Sequence, residues 1–241
     1  MELKFKFLGK SCWILDIDNK VKIGSNPSFN VKKGSDTKFI EPHDEAFKNV
    51  KLWLITECTP NSFDEEGAKI IELDSKIIAR KECGKLLRDK KNSNIYFLDW
   101  FKKIEFEIKG YKIIVEGVPT YKGGGFLSSP ILGKANGYLL TVIDNENKRK
   151  RIYVTGETIY QENIIKTLIY YPIDLMITNI ENIKNNYFSG EKTMDLVMLN
   201  SFIRTLNPKE VITIFSKGEK ARKEIQKYIE LIEIGEEKNI Y

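Results

Sequence analysis

Short apolar segments that switch between period-two and helical spacing are the feature that most restricts the fold. In the last third of the chain the two spacings alternate, which predicts helices separated by single strands. The predicted helices are 161–170, 194–205 and 219–231, and the predicted strands are 174–178 and 210–215. Strands with helices interposed indicate sheets that are covered by helices.

The first two thirds of the chain are richer in strands. Strands are predicted at 4–8, 12–16, 21–23, 52–55, 77–79, 95–98, 137–143 and 151–155, and helices at 65–73 and 81–89. Residues 104–118 form a meander that turns at Lys109-Gly110. Each half moves from sheet to helix, which suits two sheets packed face to face with helices outside. Periodicity alone does not distinguish that arrangement from a three-layer doubly wound sheet.

Composition excludes several classes of protein. The 241 residues are 41% hydrophobic and contain no linker-like break, so we expect one globular domain over 1–241. The net charge is +5, but Lys/Arg and Asp/Glu alternate, apart from the predicted hairpin turn 148–151, which argues against a nucleic-acid partner. No segment approaches the roughly 20 apolar residues of a membrane span, and the amino terminus has no signal-peptide core, which predicts a cytoplasmic protein without a membrane partner.

Ligands for a transition metal are scarce. The only histidine, His43, lies in EPHDEAF, a context typical of a loop or a helix cap. Cys12, Cys58 and Cys83 are odd in number and lack C-x-x-C spacing, which argues against a disulfide framework and against a thiolate zinc site. We therefore expect no zinc, and we expect the cysteines to be small core or surface residues.

One segment resembles the signature of the metallo-β-lactamase superfamily. LWLITECTPNSFDEEGAKII has that family's apolar strand, ligand turn and following helix. Where the family places its histidines and aspartate, this chain has Glu57, Thr59, Asn61 and Ser62. The frame of the motif is thus present without its metal ligands.

Five further segments are similar to the ascorbate-6-phosphate lactonase-like branch of that superfamily. FLGKSCWILD has Lys10 at a histidine position, and GSNPSF has Asn26 for an aspartate. VPTYKGGG places Lys122, or Tyr121 one residue earlier, where a further histidine would stand. The family's register continues in YVTGETIY, which has Glu157 in place of an aspartate. It also continues in ITIFSKG, which has Phe215 in place of a histidine.

The resemblance runs from residue 5 to about residue 218 and implies a four-layer αββα sandwich, α/β (α+β) in class, with two mixed sheets face to face. The family's hydrolases generate metal-bound hydroxide, which requires several imidazole and carboxylate ligands. With those positions changed, we expect a pseudoenzyme with no cofactor and no catalytic residues.

Three interpretations of the changed positions remain open. In the first, Lys10 and Lys122 form salt bridges with Glu57 and Glu157 that fill the former metal site and preserve the fold, which we call the plug interpretation. In the second, the two lysines and Gly123-Gly124-Gly125 bind a small anion. Alternatively, a rebuilt oxygen-ligand site holds Mg²⁺ or Ca²⁺ and hydrolyses an ester, lactone or phosphoester. The candidate ligands of that site are Glu57, Thr59, Asn61, Asp64 and Glu157. Asp64 also suits the N-cap of the next helix. Possible partners are an anionic ligand, a homologous subunit or a second copy of the chain.

Overall fold

The computed structural model describes residues 1–30, 39–60, 62–88, 94–121, 135–180, 194–215 and 219–240. The strands are β1 Leu3–Gly9, β2 Cys12–Ile17, β3 Val21–Ser25, β4 Val50–Leu54, β5 Lys76–Ala79, β6 Ile95–Phe97, β7 Lys103–Ile108, β8 Tyr111–Pro119, β9 Asn136–Ile143, β10 Arg149–Val154, β11 Leu175–Ile180, β12 Glu210–Phe215 and β13 Glu237–Ile240. The helices are α1 Glu65–Ile70, α2 Gly84–Leu87, α3 Glu162–Leu168, α4 Leu196–Leu206 and α5 Glu219–Ile225, and 3₁₀ turns form at Glu45–Phe47 and Lys81–Cys83.

The strands form two mixed sheets. The first has the order β13-β1-β2-β3-β4-β5-β6 and the second the order β12-β11-β10-β9-β8-β7. β3 to β6 are parallel to one another, as are β10 to β12, while the remaining neighbours are antiparallel. Since parallel strands end at the same edge of a sheet, each sheet gathers the segments that follow its parallel strands along one edge.

Alternation of side chains along the strands explains the layers. On β4, Leu52 and Leu54 enter the core between the two sheets, while Trp53 packs on the outer face of the first sheet. On β10, Ile152 points into the shared core and Tyr153 packs on the outer face of the second sheet. Both faces of these strands are therefore buried.

Helices cover the outer faces. α1 and α2 bury Ala68 and Leu87 against the first sheet, and α3 and α4 bury Leu168 and Phe202 against the second. The result is the αββα sandwich that the resemblance implies, with two mixed sheets face to face and helices outside. No helix in the described part of the chain is long and apolar enough to cross a membrane.

Three elements differ from the pattern in the sequence. The predicted helix 81–89 is a 3₁₀ turn followed by the short α2. α5 ends at Ile225, because the chain turns back and Arg222 donates a hydrogen bond to the Ile232 carbonyl at 2.7 Å. β13 was not predicted from its charged sequence EKNI, since it forms only by pairing with β1 at the other end of the chain.

The expectation that the cysteines are unpaired is wrong for two of them. Cys58 and Cys83 form a disulfide, with their Cα atoms 5.4 Å apart. They follow β4 and β5, which are neighbouring parallel strands, so the pairing of these strands brings the two cysteines together. Cys12 is free and buried in the core, as expected of a small core residue.

A hydrogen bond joins the two sheets at the β2–β3 turn. The Tyr111 hydroxyl, at the start of β8, donates to Asp18 Oδ2 at 2.6 Å. Burial alone would raise the pKa of Asp18, but the bonds from Tyr111 and from the Glu2 backbone N–H lower that pKa below its usual value. A lowered carboxyl pKa stabilises the fold above the ordinary aspartate pKa of about 4, and this contribution is lost as the pH falls through the lowered value.

Replacing Tyr111 with phenylalanine is therefore expected to lower the free energy of unfolding by about 1 kcal/mol at neutral pH. Urea unfolding of the wild type and of Tyr111→Phe at neutral pH and at a pH below the lowered pKa of Asp18 measures the difference. The difference should shrink at acid pH, where Asp18 is protonated. An equal difference at both pH values would show that the lost stability comes from packing of the ring instead.

Candidate functional site

The two sheets meet at the edge where β4 and β10 end. The Asn136 N–H, at the start of β9, donates to the Thr56 carbonyl at 2.8 Å. Gly156 lies against both of these residues, since a Cβ added there would stand 2.8 Å from the Asn136 oxygen and 3.4 Å from Thr56 Cβ. Gly156 also has φ +62°, which favours glycine. Glu57 and Glu157 directly follow Thr56 and Gly156 and therefore belong to the same edge.

Glu57 is held by hydroxyl groups of its own loop. Its side chain is buried, and its Oε1 accepts hydrogen bonds from Ser62 Oγ at 2.7 Å and from Thr59 Oγ1 at 3.3 Å. The backbone N–H groups of Ser62 and Phe63 both donate to the Thr59 carbonyl at 2.9 Å, which closes the turn. Three of the residues predicted for the site thus form one hydrogen-bonded cluster, while Asn61 lies outside the described residues.

Asn26 joins the ends of β3 and β4. Its backbone has φ +48°, and its side chain is buried. The amide Nδ2 donates to Thr56 Oγ1 and the amide Oδ1 accepts from the Thr56 N–H, both at 2.8 Å. Both the N–H and the oxygen of the side-chain amide therefore bond to Thr56, which positions the chain directly before Glu57.

Lys10 occupies the tight turn between β1 and β2, with φ +50°. It is only 6% exposed, and its ammonium donates to Ser28 Oγ at 3.1 Å and to the Asn30 carbonyl. Among the described residues, its hydrogen bonds go to this turn and not to Glu57 as the plug interpretation expects. Burial lowers the pKa of Lys10, and the nearby Asp64 carboxylate opposes that shift.

Asp64 connects the turn after β3 to α1. Its Oδ1 accepts from the Gly67 N–H at 2.7 Å, which confirms the predicted N-cap. Its Oδ2 accepts from Ser28 Oγ at 2.9 Å and from the N–H groups of Phe29 and Asn30 at 2.8 and 2.6 Å. The sequence signalled only the cap. The other three bonds depend on a turn more than thirty residues away.

The remaining predicted positions fall into different environments. Glu157 is partly exposed, and Phe215 is buried among the apolar side chains outside the second sheet. Tyr121 donates its backbone N–H to Thr158 Oγ1 at 2.9 Å, and its ring lies 5.8 Å from Trp100. Lys122 and Gly123-Gly124-Gly125 lie outside the described residues.

Arg80 is a buried cation at this edge that the sequence did not indicate. Its guanidinium donates to Asn136 Oδ1 at 3.0 Å and to Glu82 Oε2 at 3.2 Å, and lies 3.6 Å from Asp99. Its Cζ lies 5.6 Å from the centre of the Trp100 ring. Only Glu82 is a local partner. The contacts with Asn136, Asp99 and Trp100 come from other strands and loops, which the residues around an arginine do not predict.

Solved structures share the arrangement of sheets and helices over nearly their full lengths, whereas no family model and no curated protein matches the sequence. A possible metal-dependent hydrolase from Veillonella parvula has a TM-score of 0.73 and 14% identity, covering 98% of this chain and 99% of that chain. The metallo-beta-lactamase fold protein YhfI from Bacillus subtilis has a TM-score of 0.62 and 9% identity, covering 99% of each. The chain has the metallo-β-lactamase fold. Isothiocyanate hydrolase from Delia radicum gut bacteria is also similar, with a TM-score of 0.71, 18% identity and 98% of each chain covered.

A possible metal-dependent hydrolase shares this fold, but the donor atoms that the structure describes at this edge do not fit a transition metal. Among the residues that the structure describes, no three His, Cys, Asp or Glu side chains cluster closely enough to hold an ion. The carboxylate of Asp64 already accepts four hydrogen bonds, and the Asn26 amide is used at both ends. His43 is exposed, in the turn before the 3₁₀ turn Glu45–Phe47. No imidazole is therefore available at the edge.

Proposed function

We propose that this chain is a pseudoenzyme: a metallo-β-lactamase-fold protein, similar to the lactonase-like branch, whose metal ligands have been replaced and which acts by binding. The observation that carries the proposal is the Glu57 cluster, in which the hydroxyls of Ser62 and Thr59 donate to the carboxylate. Hydroxyl protons directed at a carboxylate oxygen stabilise its charge as a cation would. The two hydroxyls thus supply hydrogen bonds to Oε1 of Glu57, as the proposal requires of a carboxylate that binds no metal.

Lys10 supports the same proposal from the neighbouring turn. Its buried ammonium supplies a positive charge close to Asp64, and Ser28 bonds to both groups. A buried carboxylate is costly unless it is paired and hydrogen-bonded. The lysine at a histidine position therefore contributes to the stability of the edge and would repel a cation placed beside it.

The ligand of the binding role is proposed to be a small anion that carries phosphate or carboxylate. Lys122 and Gly123-Gly124-Gly125 are the residues proposed to contact it, through an ammonium and backbone N–H groups. A homologous subunit is the alternative partner, in which case the edge serves assembly instead of small-molecule binding.

A metal-dependent hydrolase remains the second candidate, because Glu57 and Glu157 approach the edge from different sheets. Neighbouring folds include a possible metal-dependent hydrolase and an isothiocyanate hydrolase. Two carboxylates and nearby oxygen atoms are ligand types that suit Mg²⁺ or Ca²⁺. This candidate predicts that a divalent cation stabilises the fold through Glu57 and Glu157.

Thermal unfolding of chelator-treated protein distinguishes the candidates. We expect zinc, manganese, magnesium and calcium ions each to leave Tm unchanged within about 1 °C, whereas a cation at 100 times its Kd would add about 2.7 kcal/mol of stability. A rise of several degrees that disappears in Glu57→Gln or Glu157→Gln would instead support the hydrolase. In the same scans, inorganic phosphate should raise Tm for the wild type and not for Lys122→Ala if the edge binds anions.

A further inference from the structure

The Cys58–Cys83 disulfide is attached directly to the Glu57 cluster. Cys58 lies between Glu57 and Thr59, in the segment that follows β4, which we call the Glu57 loop (residues 57–60 and 62–64). Cys83 ends the 3₁₀ turn after β5. The bond therefore ties the Glu57 loop to the neighbouring turn and spans a sequence separation of 25 residues.

The two bonded cysteines differ in exposure. Cys58 is partly exposed and lines a cleft of about 540 Å³ together with Pro60, Phe63 and Leu86, whereas Cys83 is 1% exposed. The free Cys12 is also buried, and burial raises the pKa of its thiol. A thiolate arriving from solvent can therefore reach Cys58, while Cys12 is protected both by its burial and by its protonation.

The middle of the Glu57 loop lies at the surface, because Cys58 and Thr59 are partly exposed and Pro60 is exposed, whereas Phe63 near its end is buried in the core. Its turn is closed by the two bonds from Ser62 N–H and Phe63 N–H to the Thr59 carbonyl and by the hydroxyl bonds to Glu57. Ser28 Oγ lies 2.9 Å from the Pro60 carbonyl oxygen, and the two ends of the loop are held by β4 inside the first sheet and by Asp64 at the start of α1. Loss of the disulfide is thus expected to loosen the middle of the loop, while its anchored ends and the sheets stay folded.

We propose that the Cys58–Cys83 disulfide is a redox-sensitive clasp that fixes the Glu57 loop when oxidised and frees it when reduced. The reductant is a dithiol. One of its thiolates attacks Cys58 Sγ, the S–S bond breaks, and Cys83 leaves as a thiolate that takes up a proton. The second thiolate of the reductant then attacks the reductant sulfur of the mixed disulfide, and Cys58 leaves as a thiolate that takes up a proton. Two electrons pass to the protein, and the dithiol becomes a disulfide.

The clasp goes beyond the proposed function, because it concerns the order of the loop and does not depend on what the edge binds. In an oxidising environment the bond would persist, and in a reducing one it would open. The Glu57 loop, with Thr59 and Ser62, would then have two states: one fixed by the disulfide and one freed by its reduction. The redox poise of the surroundings would select between them.

Hydrogen exchange of the full chain before and after treatment with dithiothreitol tests the clasp. The amides of Ser62 and Phe63 are expected to exchange about tenfold faster or more in the reduced protein, while amides of β1 and β11 are unchanged. Cys12→Ala is the matched control and should respond as the wild type does. Equal exchange in the two states would overturn the proposal.

Alkylation with iodoacetamide separates local opening from unfolding. After reduction under native conditions, we expect the partly exposed Cys58 to be modified and the buried Cys12 to remain protected. Modification of all three cysteines together with loss of sheet structure would show that the disulfide holds the whole fold, which also overturns the proposal. A Cys83→Ser variant should exchange like the reduced wild type and show no response to dithiothreitol.

Discussion

Replacing Asp64 with alanine is expected to lower the free energy of unfolding by about 4 kcal/mol, measured by urea denaturation. The change removes the acceptor for four hydrogen bonds, from Gly67 N–H, Ser28 Oγ and the N–H groups of Phe29 and Asn30. It also leaves the buried ammonium of Lys10 without its nearby carboxylate. Both consequences are costly, since Lys10, Ser28 and Gly67 are buried and their polar groups would lose a partner away from water.

Asp44→Ala is the control for loss of an ordinary cap. Asp44 accepts a single bond, from the Ala46 N–H at 2.8 Å, at the start of the 3₁₀ turn Glu45–Phe47. Its replacement should cost about 1 kcal/mol. If Asp64→Ala costs no more than Asp44→Ala, then Asp64 acts only as a helix cap and does not hold the turn after β3.

Replacing Gly67 with alanine is expected to cost about 3 kcal/mol. A Cβ at Gly67 would lie 1.8 Å from the Pro27 carbonyl oxygen and 2.5 Å from its carbonyl carbon, both of them backbone atoms. The added methyl group therefore forces α1 away from the turn after β3, and the bonds of Asp64 to Phe29 and Asn30 lengthen with it. Thermal or urea unfolding of the variant measures the loss.

Gly84→Ala is the matched control, because Gly84 is also a helical glycine. A Cβ at Gly84 would meet only the Phe97 ring at 3.6 Å, an ordinary contact. Alanine has the higher helix propensity, so this variant should be neutral or slightly more stable. A Gly67→Ala protein as stable as the wild type would mean that α1 and the turn are not in close contact.

Most of the fold followed from local patterns in the sequence. The meander around Lys109-Gly110 and the alternation of strands and helices after residue 150 are confirmed as β7 to β12 and α3 to α5. What the sequence missed depends on distant partners. β13 is a strand only because it pairs with β1, and α5 stops early because Arg222 binds a carbonyl beyond the helix.

The site was less predictable than the fold. Resemblance placed Glu57, Thr59 and Ser62 in one segment, and these three residues do lie together. The partner of Lys10 was not predictable, because Ser28 and Asn30 reach it from another turn. The same reason applies to the disulfide, which depends on the pairing of β4 with β5 and not on the spacing of the cysteines.

At the edge that carries Glu57, hydrogen bonds between protein groups therefore connect the ends of neighbouring strands. The Asn26 amide aligns β4, hydroxyls hold Glu57, and Lys10 with Asp64 joins the turn after β3 to α1. Each of these groups is engaged with protein atoms. We propose that the groups at the predicted ligand positions of this metallo-β-lactamase fold serve stability and binding.

Metal content of the purified protein tests this account most directly. The protein is expressed in medium supplemented with zinc and manganese, and its metals are counted by inductively coupled plasma mass spectrometry. We expect far less than one equivalent of any transition metal per chain. One equivalent or more, reduced in Glu57→Gln or Glu157→Gln, would contradict the account and identify the edge as a working metal site.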